Sequence, residues 1–378
     1  MTRPVKVVQM TTVHHPEDPR IYYKQCCSLA EAGFDVSYIA PKVDDVRLDR
    51  ENLTYIPIQK SKKRFLSMLI SPLRAYRMAK KLDPDIIHIH DPELLLVGKL
   101  LTMKGFHVIY DIHEDYQTGI VTRDYFNLLV RKGLSRLYKW IENAVTKDMT
   151  LIIAEKYYQE IYPSGIPILN YPITDDQLLS RRITESEISK KVIYTGNITK
   201  DRGALNHAVL VHADAELEVH MIGKCDKQLA KAMQAVAVPA EDRLYIDGVG
   251  TFVSRERIMN RYTEENWLAG IALLPASAHY EKKELTKFFE YMLAGIPIIC
   301  SNFPVWQAFV EKYECGITVD PDNPVAFQKA LNQLQRDPQK AAQMGRNGRH
   351  AVLNELNWSK EAEKLKEIYD GLLSGERL

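Results

Sequence analysis

Short apolar runs bounded by turn residues alternate with stretches of helical spacing along the whole chain. "VKVVQM", "FDVSYIAP", "LTYIPI", "DIIHIH", "HVIYDIH" and "MTLIIAE" predict strands in the first half. Predicted helices fall between them. One runs from Pro19 to about Ala32, with Asp18 placed to cap it and Pro19 suited to its first position. A basic stretch ending near Leu82, "PELLLVGKLLTMKG" ended by Gly105, and about Tyr125 to Val145 are the others. "YPSGIPILNYP", with Pro163, Gly165, Pro167 and Pro172, interrupts the alternation and reads as a linker. The pattern restarts with "KVIYTGN", "LEVHMIG", "RLYIDG", "IALLP", "IPIIC" and "GITVD", and from about Pro324 the chain is mostly helical. Repeated strand–helix–strand predicts parallel sheets covered on both faces. A chain of 378 residues exceeds one ordinary core, so the expected class is α/β, with two facing, doubly wound domains of similar size. Ligands of such sheets bind beyond the carboxyl ends of the strands.

Composition narrows this only a little. With 46% hydrophobic and 26% charged residues, the chain reads as a soluble globular protein. A formal net charge of +1 gives no global argument for nucleic acid, and none is expected as a partner. Cys26, Cys27, Cys225, Cys300 and Cys315 are odd in number and lack zinc spacing, so reduced thiols and a cytoplasmic location are expected. The N-terminus begins a strand almost at once, with no signal-peptide core. No apolar run approaches the ~20 residues of a membrane span.

Candidate chemistry gathers at the strand ends. In the first half these carry "HHPEDPR", then His88-Ile89-His90-Asp91, then Asp111-Ile112-His113-Glu114-Asp115. Alternation points His88 opposite to Ile87 and Ile89, as a core histidine. His90, Asp91, His113 and Glu114 lie at adjacent strand tips and suit a polar pocket for a hydroxylated acceptor. No compact ligand spacing supports a metal, and none is expected. In the second half, "VIYTGNITKDRG" sets Gly196, Asn197, Lys200 and Arg202 between a strand and a helix, where glycine permits close backbone approach and basic residues suit a phosphate. There is neither G-x-G-x-x-G nor a Walker lysine motif, which disfavours a dinucleotide dehydrogenase or a P-loop enzyme.

"LTKFFEYMLAGIPIICSNFP" holds one residue out of keeping: Glu290, among Phe288, Phe289, Tyr291 and Met292. Thr286 and Lys287 fall in the first turn of this predicted helix, where free N–H groups and the dipole favour an anion. Glu290 sits one turn further in. A carboxylate there is acceptor-only and suits the two hydroxyls of a ribose. The plainer alternative is a Lys287–Glu290 surface pair worth ~0.3–0.5 kcal/mol.

These residues carry a resemblance to the family-4 retaining glycosyltransferases of the GT-B fold. "KFFEYMLAGIPIICSNFPVW" followed by "ECGITVDPDNP" is similar to the donor-site signature of that family, and "PEDPRIYYKQCCSLAEAGFDVSYIAP", "DIIHIHDPELL", "YDIHE" and "YTGNITKDRG" match further segments in order. The resemblance implies two Rossmann-like domains, residues 1–166 for the acceptor and 167–356 for a nucleotide-sugar donor, with a last helix at about 357–378 crossing back to the first. It places Glu290 on the glutamate that holds the ribose, and Thr286 and Lys287 where amides meet the diphosphate. Arg202 falls on the basic residue that meets the same diphosphate, and Gly250 where backbone meets the base. His113 falls on the histidine near the sugar, so His113 and Glu290 are its catalytic candidates. The first glutamate of the Glu–seven residues–Glu motif is Lys282 here, with Glu281 and Glu284 nearby. The usual arginine after Gly196 is Asn197, and the loop after the first strand lacks the common glycine pair.

The activity so implied is that of a hexosyl- or glycosyltransferase acting with retention, without metal or other cofactor, on a nucleotide sugar and a glycan or lipid-linked acceptor. A nucleotide-sugar epimerase of the same architecture and a non-catalytic nucleotide-binding scaffold are the competing readings. Lys60 to Leu82 carries eight basic residues and no acidic one, and "RKGLSRLYKW" adds Arg131, Lys132, Arg136, Lys139 and Trp140. These suggest an anionic membrane surface as a further partner and a peripheral position on the inner face of the cell membrane.

Overall fold

The computed structural model describes residues 3–44, 46–59, 64–114, 127–183, 185, 189–277 and 280–375. Lys60, Lys62 and Lys63 of the basic stretch, and Asp115, lie outside these residues. The chain divides into two units, Met1–Asn170 with Trp358–Leu378, and Tyr171–Asn357.

The first unit is built on seven parallel strands: β1 (Lys6–Met10), β2 (Asp35–Pro41), β3 (Leu53–Ile58), β4 (Ile86–Ile89), β5 (His107–Ile112), β6 (Thr150–Ile153) and β7 (Ile166–Pro167), in the order β3-β2-β1-β4-β5-β6-β7. Every residue of β4 is buried, as expected where helices cover both faces and an apolar run needs no alternation. One face carries the π-helical turns Pro19–Cys26, which continue as α1 (Cys27–Glu31). The other carries α2 (Arg64–Leu82) and α3 (Leu95–Thr102), with α4 (Leu128–Thr146) packed on α3. Asp18 caps the first of these helices by accepting from the N–H groups of Arg20 and Ile21.

The second unit has six parallel strands: β8 (Lys191–Thr195), β9 (Glu218–Cys225), β10 (Leu244–Val249), β11 (Ala269–Ala272), β12 (Ile298–Ser301) and β13 (Gly316–Val319), in the order β10-β9-β8-β11-β12-β13. Its helices are α5 (Asp176–Ser180), α6 (Ala204–Ala208), α7 (Lys227–Ala237), α8 (Arg255–Glu264), α9 (Thr286–Ala294), α10 (Pro304–Tyr313), α11 (Pro324–Arg336) and α12 (Pro338–Asn354). In both sheets the order reverses at one point, between β1 and β4 and between β8 and β11. Loops diverge there, so a ligand can reach the backbone ends of the strands.

The final helix, α13 (Trp358–Ser374), belongs to the first unit. Trp358, Leu365, Ile368 and Tyr369 complete the core under α1 and β2. The Trp358 indole donates to Ser28 Oγ at 2.8 Å, and the buried Glu361 accepts from the Leu169 N–H at 2.8 Å. The expected linker is corrected here. Ile166 and Pro167 pair with β6 as an edge strand and Ile168 is fully buried, so the first unit continues to Asn170. An edge strand tolerates proline because its outer N–H has no partner to lose.

Candidate functional site

In the second unit, close packing shapes the strand ends first. Gly196, Gly223 and Gly248 close three neighbouring strands with φ of +96°, +154° and +108°. A Cβ on Gly223 would stand 2.0 Å from the Gly196 carbonyl oxygen, and one on Gly248 would stand 2.4 Å from that of Gly223. Only glycine permits this approach. It leaves a floor of bare backbone beside the switch point. Gly250, exposed at φ +70°, ties the next loop down by donating to the Cys225 carbonyl at 2.8 Å.

The turn Lys200–Arg202 is fixed from below. Gly203, at φ +73°, lies so close to β11's exit that a Cβ would meet the Leu273 oxygen at 2.1 Å. The buried His207 joins the two segments, with Nδ1 2.6 Å from the Gly203 carbonyl and Nε2 2.9 Å from the Leu273 N–H. The imidazole therefore carries its proton on Nδ1 and accepts at Nε2. Burial, aided by the Lys287 charge, pushes its pKa down to about 3, so it stays neutral. Arg202 is half-buried, and its Nε donates to the Tyr280 hydroxyl at 3.3 Å, which in turn donates to Asp201 at 2.8 Å.

Helix α9 brings the remaining groups. Thr286 at its start is exposed, as are Asn197 and Lys200. Lys287 is buried, with its ammonium over the Tyr194 ring at 3.4 Å from the centroid. Burial pushes this amine well below the ordinary lysine value; the nearby Arg202 charge adds to that shift and Glu290 opposes it. Glu290 is half-buried, and its Oε2 accepts from the Tyr262 hydroxyl at 2.8 Å. That hydroxyl also lies 2.6 Å from Thr195 Oγ1. The plain surface pair is thus not what holds these residues: Lys287 packs on an aromatic face and Glu290 on a buried tyrosine. Lys282 is exposed, while the neighbouring Lys283 carbonyl anchors the loop by accepting from the Trp306 indole at 2.7 Å. Tyr262, Tyr280 and His207 escaped the sequence reading. Of these only His207, in "ALNHAVLV", stands out against apolar neighbours; the two tyrosines lie in polar stretches and carry no such signal.

The first unit gathers the expected histidines and carboxylates around Asp111. This fully buried carboxylate takes a bidentate pair from Arg20 at 2.9 and 2.8 Å, Gln25 at 2.6 Å and His113 Nε2 at 3.0 Å. Arg20 more than offsets burial and holds Asp111 well below the usual carboxylate range. His90 lies behind His113, with Nδ1 3.1 Å from His113 Nε2 and Nε2 2.6 Å from Gln9 Oε1. Burial lowers its pKa to about 4. Gln9 donates to the Tyr369 hydroxyl at 3.0 Å, which lies 2.9 Å from His88 Nδ1, so a polar chain runs from α13 to His113.

Two acceptor-side expectations are corrected. Asp91 is buried beneath the loop after β1, accepting from the N–H groups of Thr12 and Val13, from the Thr11 and Thr12 hydroxyls and from His14 at 2.7 Å. Its acceptor capacity is spent on shaping that loop. His90 is equally buried. His113, partly exposed, and Glu114, exposed, are the members that reach the surface. Among the described residues, His88, His90 and Asp111 lie close enough together to hold a metal ion, with ligand atoms within 4.8 Å of one another. Three donors already crowd Asp111 Oδ2 and Arg20 holds Oδ1, so the Arg20 charge opposes a cation there.

Comparison with known proteins places this geometry. Residues 20–156 match the model of Glycosyltransferase Family 4, and residues 248–351 match that of Glycosyl transferases group 1. Spore coat protein SA of Bacillus subtilis is 26% identical over 95 residues, a match spanning 25% of each chain. A sucrose-phosphate synthase from Thermosynechococcus elongatus is similar in structure at TM-score 0.75 and 18% identity, covering 99% of this chain and 100% of that one. HepE of Anabaena, solved in complex with UDP, is similar at TM-score 0.72 and 11% identity over 98% of this chain and 100% of that one. A second HepE structure holds UDP-glucose. With both family models matched in chain order and a fold shared along nearly its whole length, the chain belongs to the family-4 glycosyltransferases of the GT-B fold.

Proposed function

We propose that this transferase moves a sugar from a nucleotide-diphosphate sugar to a hydroxyl acceptor with retention, in the synthesis of a cell-surface polysaccharide or glycoconjugate. The observation that carries the reading is Lys287 in the first turn of α9, with the Arg202 charge near it and Glu290 one turn further in. Two cationic side chains and free helix N–H groups would meet a diphosphate. Glu290, steadied by Tyr262, would accept from the ribose hydroxyls, and the bare backbone from Gly196 to Gly250 would meet the nucleoside. The ligands of the HepE structures, UDP and UDP-glucose, agree with a donor of this kind.

In the reaction the bond from the sugar's anomeric carbon to the diphosphate oxygen breaks, and the acceptor oxygen bonds to that carbon on the same face. The acceptor's proton passes to the departing phosphate. Arg202, Lys287 and the α9 N-terminus stabilise the charge that develops there, a contribution that is often the largest in such reactions. His113, fixed by Asp111 through Nε2, would orient hydroxyls rather than attack. No metal or other cofactor enters this scheme.

A thermal-shift panel of nucleoside diphosphates finds the base, because a ligand stabilises the state that binds it. Incubation with the matching sugar nucleotide should then give slow hydrolysis without acceptor, and transfer products whose anomeric configuration, read by NMR, matches the donor's. Inversion would overturn retention. Interconversion of the sugar would establish an epimerase instead. Tight binding with no turnover would establish a scaffold, the alternative that Lys282 at the first glutamate position keeps open.

A further inference from the structure

Unit 1 exposes apolar side chains on three neighbouring helices, with α3 packed between α2 and α4. On α4, Val130, Leu134, Leu137 and Ile141 recur at i, i+4, i+7 and i+11 and are all exposed. They form a single stripe. Next around the helix comes Trp140, 70% exposed. Beyond it lie Lys132, Arg136 and Lys139, also exposed. The one acid of this helix, Glu142, is buried under Tyr138 and Tyr162 at 3.1 and 2.8 Å. Leu96, Leu100 and Met103 share one exposed face of α3, Met103 at 73%. Met68, Leu69 and Leu73 are exposed on α2, followed by Arg74, Arg77, Lys80 and Lys81. Neither α2 nor α3 contains an acidic residue.

We propose that this three-helix face inserts into the interfacial layer of an anionic phospholipid leaflet, with Leu96, Met103 and the α4 stripe below the headgroups and the basic strip at their level. The charge pattern selects the occupant. Apolar area of this extent marks an interaction surface. A second copy of the chain would bring like charge against like charge, whereas acidic headgroups complement the basic strip and acyl chains the stripe. Trp140 stands at the boundary between strip and stripe, where an amphipathic ring with one wet edge belongs. Among the described residues, no helix is long and apolar enough to cross a membrane, so the face lies on the leaflet. The inference rests on no part of the sugar-transfer site.

The test is built into the chain. Trp267, Trp306 and Trp358 are buried, so lipid-dependent changes in tryptophan emission report Trp140. The full-length protein is mixed with phosphatidylcholine vesicles with and without phosphatidylglycerol, in the absence of any sugar nucleotide. With the anionic vesicles the emission should shift to the blue and be quenched by brominated acyl chains. Trp140→Phe should lose the signal but still co-sediment. Leu96→Glu with Met103→Glu should abolish insertion, and Arg136→Glu with Lys139→Glu should weaken binding about tenfold or more at low salt. Binding without quenching, or equal binding to neutral vesicles, would overturn the proposal. So would a lipid-free dimer, seen by sedimentation velocity, that the Leu96→Glu and Met103→Glu changes dissociate.

Discussion

Glu290 and Lys287 stand one turn apart and are held by different neighbours, so they should fail differently. Glu290→Ala removes an acceptor of hydrogen bonds to a charged group, each worth ~1.5–3 kcal/mol. Calorimetry should therefore find nucleoside diphosphate bound at least about tenfold more weakly, and free pyrophosphate bound as before. Lys287 faces Arg202, Glu290, the Tyr194 ring and His207, and its amine is pushed well below the ordinary lysine value. A bound diphosphate would oppose that shift and raise the pKa. Binding should then take up a proton, and affinity should fall as pH rises above the depressed value. Titrations in buffers of different ionisation enthalpy measure that proton, and Lys287→Met should abolish it. Gly203→Ala is expected to lower stability by more than ~1 kcal/mol in chemical denaturation, since it combines a left-handed φ with a blocked Cβ. The position of Glu290 was legible, because a lone carboxylate in an apolar helix is a visible anomaly. The support from Tyr262 was not, because a tyrosine inside an amphipathic helix looks like ordinary core.

Elements are joined here by buried charge. Arg20 and Asp111 lie 91 residues apart in sequence and tie the π-helical turns to β5. Arg20→Met should cost about 3–5 kcal/mol in denaturant unfolding, because it strands a buried carboxylate. The loop after β1 depends on Asp91 and His14 instead. Burial would lower the His14 pKa, but the Asp91 carboxylate outweighs it and the net shift is upward. Its contribution is thus complete below the unfolded value of 6.5 and is lost as pH rises through the folded value. Asp91 is shifted down from 3.8, burial being outweighed by His14 and the threonines, so its contribution is lost as pH falls through the folded value. The stability difference between wild type and His14→Gln should accordingly be larger at pH 5 than at pH 8. A difference that grows with pH would remove the pairing. Strands could be read from sequence because fully buried parallel strands are nearly pure apolar runs. The linker was misread because Pro167 on an edge strand has the same signature as Pro167 in a loop. The π-helical geometry of Pro19–Cys26 left no sequence trace, since it follows from packing rather than composition.

The whole molecule holds two separately cored units, and its stability should show it. Scanning calorimetry is expected to resolve two transitions, with nucleoside diphosphate raising only the one that belongs to Tyr171–Asn357. A single transition that moves as one would count against independent cores. Helix α13 adds a consequence of another kind. Trp358, Leu365 and Tyr369 fill the core of a unit whose other residues end at Asn170, with the whole of Tyr171–Asn357 translated between them. At ~5–20 residues per second, the ribosome takes on the order of 10–40 s to cross that interval. The first unit to emerge is therefore the second that can finish. During that wait its gap beside Ile21 and Leu29 stays open to solvent, and any message cut short after Asn357 yields a finished second unit carrying an unfinishable first one.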